Sequence, residues 1–217
     1  MSSSSGRTDP LTSEHRRTGE TGAVSTVSIP WSEGSWTHEP VRAEVDGQDL
    51  LVTASEGSDA WRTTSYGFVH DSEHALLRPL DPDRAVEVTF TVAFTDQFDQ
   101  AGVFLRASPT QWVKAGVEFV DGVPCVGVVA TRDRSDWSAF PVPDWAGRRV
   151  TVRASRTGDA VTVRAKVEGE PFVMIRVLPL DEDLAVEAGP FVCAPTRPGL
   201  TVRLHAWRVT PADATLH

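Results

Sequence analysis

Apolar and polar residues alternate with period two along most of the chain after residue 26. Strand side chains point to opposite faces in turn, so this pattern predicts strands. The clearest stretch covers residues 98–119, FDQAGVFLRASPTQWVKAGVEF. Ala101, Val103 and Leu105 alternate with Gln100, Gly102, Phe104 and Arg106. After Ser108-Pro109-Thr110-Gln111, the residues Val113, Ala115, Val117 and Phe119 alternate with Trp112, Lys114, Gly116 and Glu118. One face of this hairpin is wholly apolar and is expected to lie on a core. Directly opposed residues share a face. A five-residue loop sets Gln100 opposite Glu118, Gly102 opposite Gly116, Phe104 opposite Lys114 and Arg106 opposite Trp112. Two facing glycines beside a carboxylate, an amide, an ammonium and an indole would make a small polar pocket. The competing interpretation is an ordinary solvated outer face, because half-exposed antiparallel sheets alternate in the same way.

The rest of the chain predicts further short strands separated by turns. Residues 41–45 and 50–54 flank Asp46-Gly47, a hairpin pivot. Residues 85–94 alternate over a long strand, and residues 123–131 are nearly all apolar, which predicts burial on both sides or a central position. Residues 149–155 and 160–167 flank Thr157-Gly158-Asp159, and strands over 172–178, 185–193 and 200–209 complete the set. Residues 61–80, irregular and aromatic, are expected to cross one end of the fold. No segment shows the apolar period of an amphipathic helix. Strands at this spacing indicate an all-β sandwich or barrel. Residues 1–24 hold almost nothing to bury and predict a disordered tail. The domain is then expected over 25–210, with a short C-terminal tail over 211–217.

Composition narrows the function classes. The net charge is −9 and the arginines are scattered, so nucleic acid is not an expected partner and anionic membranes would repel the surface. Two cysteines, Cys125 and Cys193, lie in apolar runs with no metal-type spacing and predict buried free thiols. The first residues lack the apolar core of a secretory signal, and no run approaches the length of a membrane span, so the cytoplasm is the expected compartment.

The run FDQAGVFLR…WVKAGVEFVDG, followed by SDWSAFPV and AGPFVCAP and preceded by WRTTSYGF, resembles a largely uncharacterised family of concanavalin A-like domains. That family is named after a fungal regulator of enolase and otherwise filed as a domain of unknown function. The resemblance covers about residues 27–209. It implies a jelly-roll sandwich of two antiparallel sheets with one concave face, the face that binds sugars in related lectins and glucanases. It carries no established activity. The family's polar cluster falls here on Trp61, Tyr66, Asp99, Gln100, Lys114, Glu118, Asp136 and Trp137. Phe98 departs from relatives that often carry Tyr at this point, so a hydroxyl is missing.

Gln100, Trp112, Lys114, Glu118 and Trp137 form the main candidate for chemistry. Planar polar groups bind sugar hydroxyls and an aromatic face lies under the ring. Trp137 fits equally a sandwich-edge core residue. Lys114 and Glu118 are four residues apart on a strand, roughly 13 Å, so they face a ligand from two sides rather than forming a local pair. Glu118 is the best catalytic candidate, and an acid/base pair with Asp99 or Asp136 is open. Related glucanases carry an E-x-D-x-x-E strand, but Glu44 to Asp49 straddles an Asp-Gly turn and reads as a hairpin tip. His70 and His74 are separated by turn residues rather than one helical turn, so no metal is expected, and no cofactor motif occurs. Three functions follow in order: a cytosolic domain binding a carbohydrate or sugar-derived small ligand on the concave face, a carbohydrate-active enzyme using Glu118, and a protein-interaction module with a protein partner.

Overall fold

Period-two alternation yields seventeen strands among the described residues, which in this computed structural model are Met1 and residues 25–216. The tail expected over residues 1–24 falls, apart from Met1, outside them. In chain order the strands are β1 (Val27–Ser28), β2 (Ser35–Trp36), β3 (Arg42–Asp46), β4 (Asp49–Thr53), β5 (Ala60–Arg62) and β6 (Val69–Asp71). Next come β7 (His74–Leu80), β8 (Arg84–Thr91), β9 (Gln100–Ser108), β10 (Gln111–Val120), β11 (Val123–Arg132) and β12 (Arg134–Pro141). The chain ends with β13 (Arg149–Thr157), β14 (Ala160–Val167), β15 (Val173–Pro179), β16 (Val186–Cys193) and β17 (Thr201–Pro211).

Two antiparallel sheets result. One runs β15-β14-β13-β8-β17-β4-β3, with β1 added on β17, and the other runs β12-β11-β10-β9-β16-β7-β2. They form the expected all-β jelly-roll sandwich. The apolar face of the β9–β10 hairpin, Ala101, Val103, Leu105, Val113, Ala115 and Val117, packs in the core against Val86, Val88, Phe90, Val150 and Val152 of the facing sheet. Each fully buried Val, Leu or Phe side chain there contributes about 1.5–3 kcal/mol of transfer free energy.

The hairpin register is the one read from the sequence: Gln100 faces Glu118, Gly102 faces Gly116, Phe104 faces Lys114 and Arg106 faces Trp112. A bulge beside Gln111 absorbs the odd residue of the loop. The Asp46-Gly47 pivot joins β3 to β4, with Gly47 at φ +65, where a Cβ is disfavoured. Nearly continuous apolar sequence in β11 does correspond to burial along most of its length.

Residues 61–80 differ from the expected crossing segment. They supply all but the first residue of the β5–β6 pair and the whole of β7, which hydrogen-bonds inside the second sheet between β16 and β2. β7 is buried on both faces along most of its length, so its residues show no apolar–polar alternation to detect. The chain is also held beyond residue 210. Asp213 pairs with Arg153 at 2.9 Å and with Arg164, tying the end to β13 and β14.

Candidate functional site

The outer face of the second sheet is neither solvated nor uniformly buried. At its centre the glycines Gly102, Gly116 and Gly127 stand side by side on β9, β10 and β11. A Cβ on Gly102 would lie 2.1 Å from the Ala115 carbonyl oxygen, and one on Gly116 would lie 2.2 Å from that of Ala101. Side chains larger than hydrogen cannot occupy this row. On one side of it stands the row Phe104, Lys114, Val129 and Trp137, and on the other the row Gln100, Glu118 and Cys125. Beyond Phe104, a second small core of Trp61, Leu77, Trp112, Phe191 and Cys193 covers the sheet.

The segment 55–73 leaves the sandwich, lies across this face and returns. Its short hairpin β5–β6 carries Trp61, Tyr66, Phe68 and His70, and just before it Asp59 enters. The result is a cavity of about 320 Å³, within the range of small-ligand pockets. Its walls are aromatic. Trp61 meets Tyr66 edge-on at 5.6 Å and Trp137 at 6.5 Å, Tyr66 stacks on Phe68 at 5.2 Å, and Phe68 meets His70 at 4.6 Å. Tyr66, Phe68 and Trp137 are 58, 43 and 37% exposed, so these rings remain accessible at the opening. Phe98, Pro195 and Thr196 close the far side. The rim backbone is constrained: Thr63, Ser65 and Phe98 all have positive φ, rare for residues other than glycine and costly for a β-branched or bulky one.

The floor holds the charge. Lys114, 5% exposed, donates to Asp59 Oδ1 at 2.7 Å. The Gln100 amide reaches Asp59 Oδ1 at 3.4 Å and Glu118 Oε1 at 3.3 Å. The two carboxylate oxygens therefore lie no farther apart than those two distances laid end to end. Burial opposes the Lys114 charge, but the Asp59 carboxylate, with Glu118 adding, more than offsets it and holds the ammonium above its ordinary range. Glu118 opens on the cavity yet is ringed by protein. Burial pushes its pKa up to about 7, against the pull of Lys114 and the Trp137 indole and with a further push from Asp59. A fixed ammonium–carboxylate pair and a carboxyl able to gain or lose a proton at neutrality thus share one cavity.

Of the residues singled out in the sequence, Trp61, Tyr66, Lys114, Glu118 and Trp137 line this cavity, and Gln100, 2% exposed, lies beneath it. Three others do not. Trp112 is 4% exposed and stacks on Phe104 in the second core. Asp99 is fully buried, where it accepts from Arg197 and from the backbone N–H groups of Thr95 and Asp96, and so braces the loop before β9. Asp136 precedes Trp137 on β12 and so points to the opposite side, pairing with Arg176 at 2.7 Å. Those positions cannot supply Glu118 with an acid/base partner; Asp59 is the carboxyl beside it. His74 accepts from the Ser55 N–H at 3.1 Å through one ring nitrogen and meets the His38 carbonyl through the other, so it does not share a site with His70. Cys125 and Cys193 are buried and unpaired. Asp59, Phe68 and His70 carry no signal in the alternation, because they reach the site from a segment outside the main sheets.

Residues 36–212 match the family described as Protein of unknown function (DUF1349). Regulation of enolase protein 1 of Saccharomyces cerevisiae is 28% identical over 195 residues, spanning 89% of this chain and 98% of that protein. A solved structure of a functionally unknown protein from Saccharomyces cerevisiae superposes with a TM-score of 0.80 at 26% identity, over 86% of this chain and all of that one. Xylan beta-1,4-xylosidase from Bacillus halodurans C-125 superposes with a TM-score of 0.58 at 13% identity, over 84% of this chain and 38% of that one, and shares the fold alone. Among the described residues no helix is long and apolar enough to cross a membrane.

Proposed function

We propose that this chain, which belongs to the DUF1349 family of proteins of unknown function, binds a carbohydrate or sugar-derived small ligand on the concave outer face of its second sheet, in the cytoplasm. The observation that supports this reading is one cavity with aromatic walls and a hydrogen-bonding floor of Lys114, Asp59 and Glu118. A sugar ring has apolar C–H faces and an equator of hydroxyls. The faces suit Trp137 and Tyr66, and the hydroxyls suit a carboxylate that accepts, an ammonium that donates and a carboxyl that does either. The test is a thermal-shift screen over mono- and oligosaccharides with Trp137→Ala in parallel. A ligand at a hundred times its dissociation constant adds about 2.7 kcal/mol, which for a domain of this size is a shift of several degrees. A shift that Trp137→Ala abolishes is the expected result, and no shift from any sugar would overturn the reading.

A second reading, acid/base chemistry on a glycosidic bond, rests on Glu118 and Asp59. Paired carboxyls of glycoside hydrolases stand about 5–9.5 Å apart, and the shared Gln100 amide holds these two oxygens inside the upper end of that range. A carboxyl raised to about 7 suits a general acid. Release of nitrophenol from a panel of nitrophenyl glycosides, with a bell-shaped pH profile lost in Glu118→Gln, is the expected outcome. Absence of turnover on sugars that do bind leaves the protein a binding domain.

A further inference from the structure

We infer that the ligand of this cavity carries an amine: an amino sugar or an amine-bearing sugar derivative, whose ammonium is received by the Glu118 carboxyl among the aromatic faces of Trp61, Tyr66 and Trp137. The inference rests on the sugar-binding reading and adds to it the charge of the ligand.

The charge inventory of the floor carries it. Two carboxyls and one ammonium share the cavity, and the ammonium of Lys114 is engaged by Asp59 at 2.7 Å. Glu118 is left with neutral donors, the Gln100 amide at 3.3 Å and the Trp137 indole. It has no cationic partner within hydrogen-bond distance among the described residues. A carboxyl ringed by protein is costly to ionise without such a partner, and a ligand ammonium supplies one. The walls act in the same sense, since a cation within about 6 Å of an aromatic face is attracted by the ring quadrupole, most strongly by Trp. A phosphate or uronate would meet the opposite: two acidic side chains, with the lysine already neutralised.

The groups facing Glu118 are Lys114 on its own strand, Asp59 from the segment before β5, Cys125 on β11, and Tyr66 and His70 on the wall, with Cys193 of β16 one strand farther off beyond Gln100. Burial pushes both thiols up, so they stay uncharged near neutrality. An ammonium binds the ionised form of Glu118. Below pH 7 the group must first release its proton, because its pKa in the ligand-free protein is about 7. Amine affinity therefore falls about tenfold between pH 8 and pH 6 by linkage.

The experiment is calorimetric titration of the full chain at pH 6 and pH 8 with matched sets of glucose, galactose and mannose: the parent sugar, its 6-amino-6-deoxy derivative and its 6-phosphate. The alkylamine stays charged across this range, as lysine does. The expected result is that one amino derivative binds at least tenfold more tightly than its parent at pH 8, loses about tenfold at pH 6, and that the phosphate does not bind. Glu118→Gln, checked for a cooperative melt, should bring the amine-to-parent ratio near one and remove the pH dependence. His70→Gln run alongside should leave the pH dependence in place, which assigns it to Glu118. A parent sugar that binds as tightly as its amine overturns the inference and leaves the sugar site standing. No binding by any member of the sets overturns both.

Discussion

Lys114 and Asp59 form a pair whose two halves are not equivalent. The lysine side chain is 6% exposed and the aspartate 19%, because the carboxylate opens on the cavity. Removing the carboxylate strands an ammonium that water cannot reach, whereas removing the ammonium leaves a carboxylate that water can. Loss of one partner of a buried pair costs about 3–5 kcal/mol, so Asp59→Asn is expected near the bottom of that range and Lys114→Met below it. Urea melts of the two variants give the order directly, and equal or inverted costs would count against this account. Glu118 makes a second prediction, with the opposite sign from an ordinary acidic residue. Its pKa is raised to about 7 in the fold against roughly 4.3 in an unfolded chain. Between those values the native state binds more protons than the unfolded one, so stability falls as pH rises through this window. The wild type should lose melting temperature from pH 5 to pH 8 relative to Glu118→Gln. Parallel pH profiles for the two proteins would show that the group is not perturbed.

The β9–β10 hairpin shows what strand periodicity encodes and where it stops. Its register was legible because one face is apolar from end to end, and a slip by one residue would turn that face to solvent. Facing glycines were legible for the same reason. Their steric role adds a prediction: a Cβ on Gly116 would be 2.2 Å from the Ala101 carbonyl oxygen, so Gly116→Ala forces two paired strands apart. Overpacking of this kind costs about 1–3 kcal/mol, and the strand movement lies in the cavity floor, so ligand affinity should fall with stability. A denaturant midpoint and an affinity both unchanged in Gly116→Ala would refute it. Alternation also separates Trp137 from Asp136, and Gln100 from Asp99, since neighbours on a strand point opposite ways; the family likeness grouped them, and the structure divides them. Asp59 was not legible. It stands 55 positions before Lys114 and arrives from a segment that crosses the sheet face rather than pairing in it. That crossing segment stores strain at Thr63, whose φ is +56 and whose hydroxyl is buried without a hydrogen-bond partner. Thr63→Gly removes both penalties at the expense of unfolded-chain entropy, and a net gain of about 1 kcal/mol is expected from the left-handed cost alone. A loss of stability measured by thermal melt would show that the conformation is not strained.

At the scale of the whole molecule, sequence order and spatial order are at odds. β17, the last strand of the chain, lies near the middle of the first sheet, between β8 and β4. It places Val202, Leu204 and Trp207 in the inter-sheet core and covers Trp207 with Trp31 at 6.5 Å. β3, by contrast, is at an edge and is exposed along its length. The alternation predicted both strands equally well. It could not rank them, because period two records which face is buried and not how many neighbours a strand has. The physical difference is large. Without β17 the first sheet divides into a four-strand part and a two-strand part, each with an unpaired edge and an open apolar face. A chain ending at residue 199 should therefore show no cooperative unfolding transition and little near-ultraviolet dichroism. Val45→Lys on β3, where Val45 is 65% exposed, should shift stability by no more than about 0.5 kcal/mol. The comparison separates position in the sheet from strand content as the source of stability. A truncated chain that melted cooperatively near the wild-type temperature would mean that the two halves of the first sheet close without their central strand.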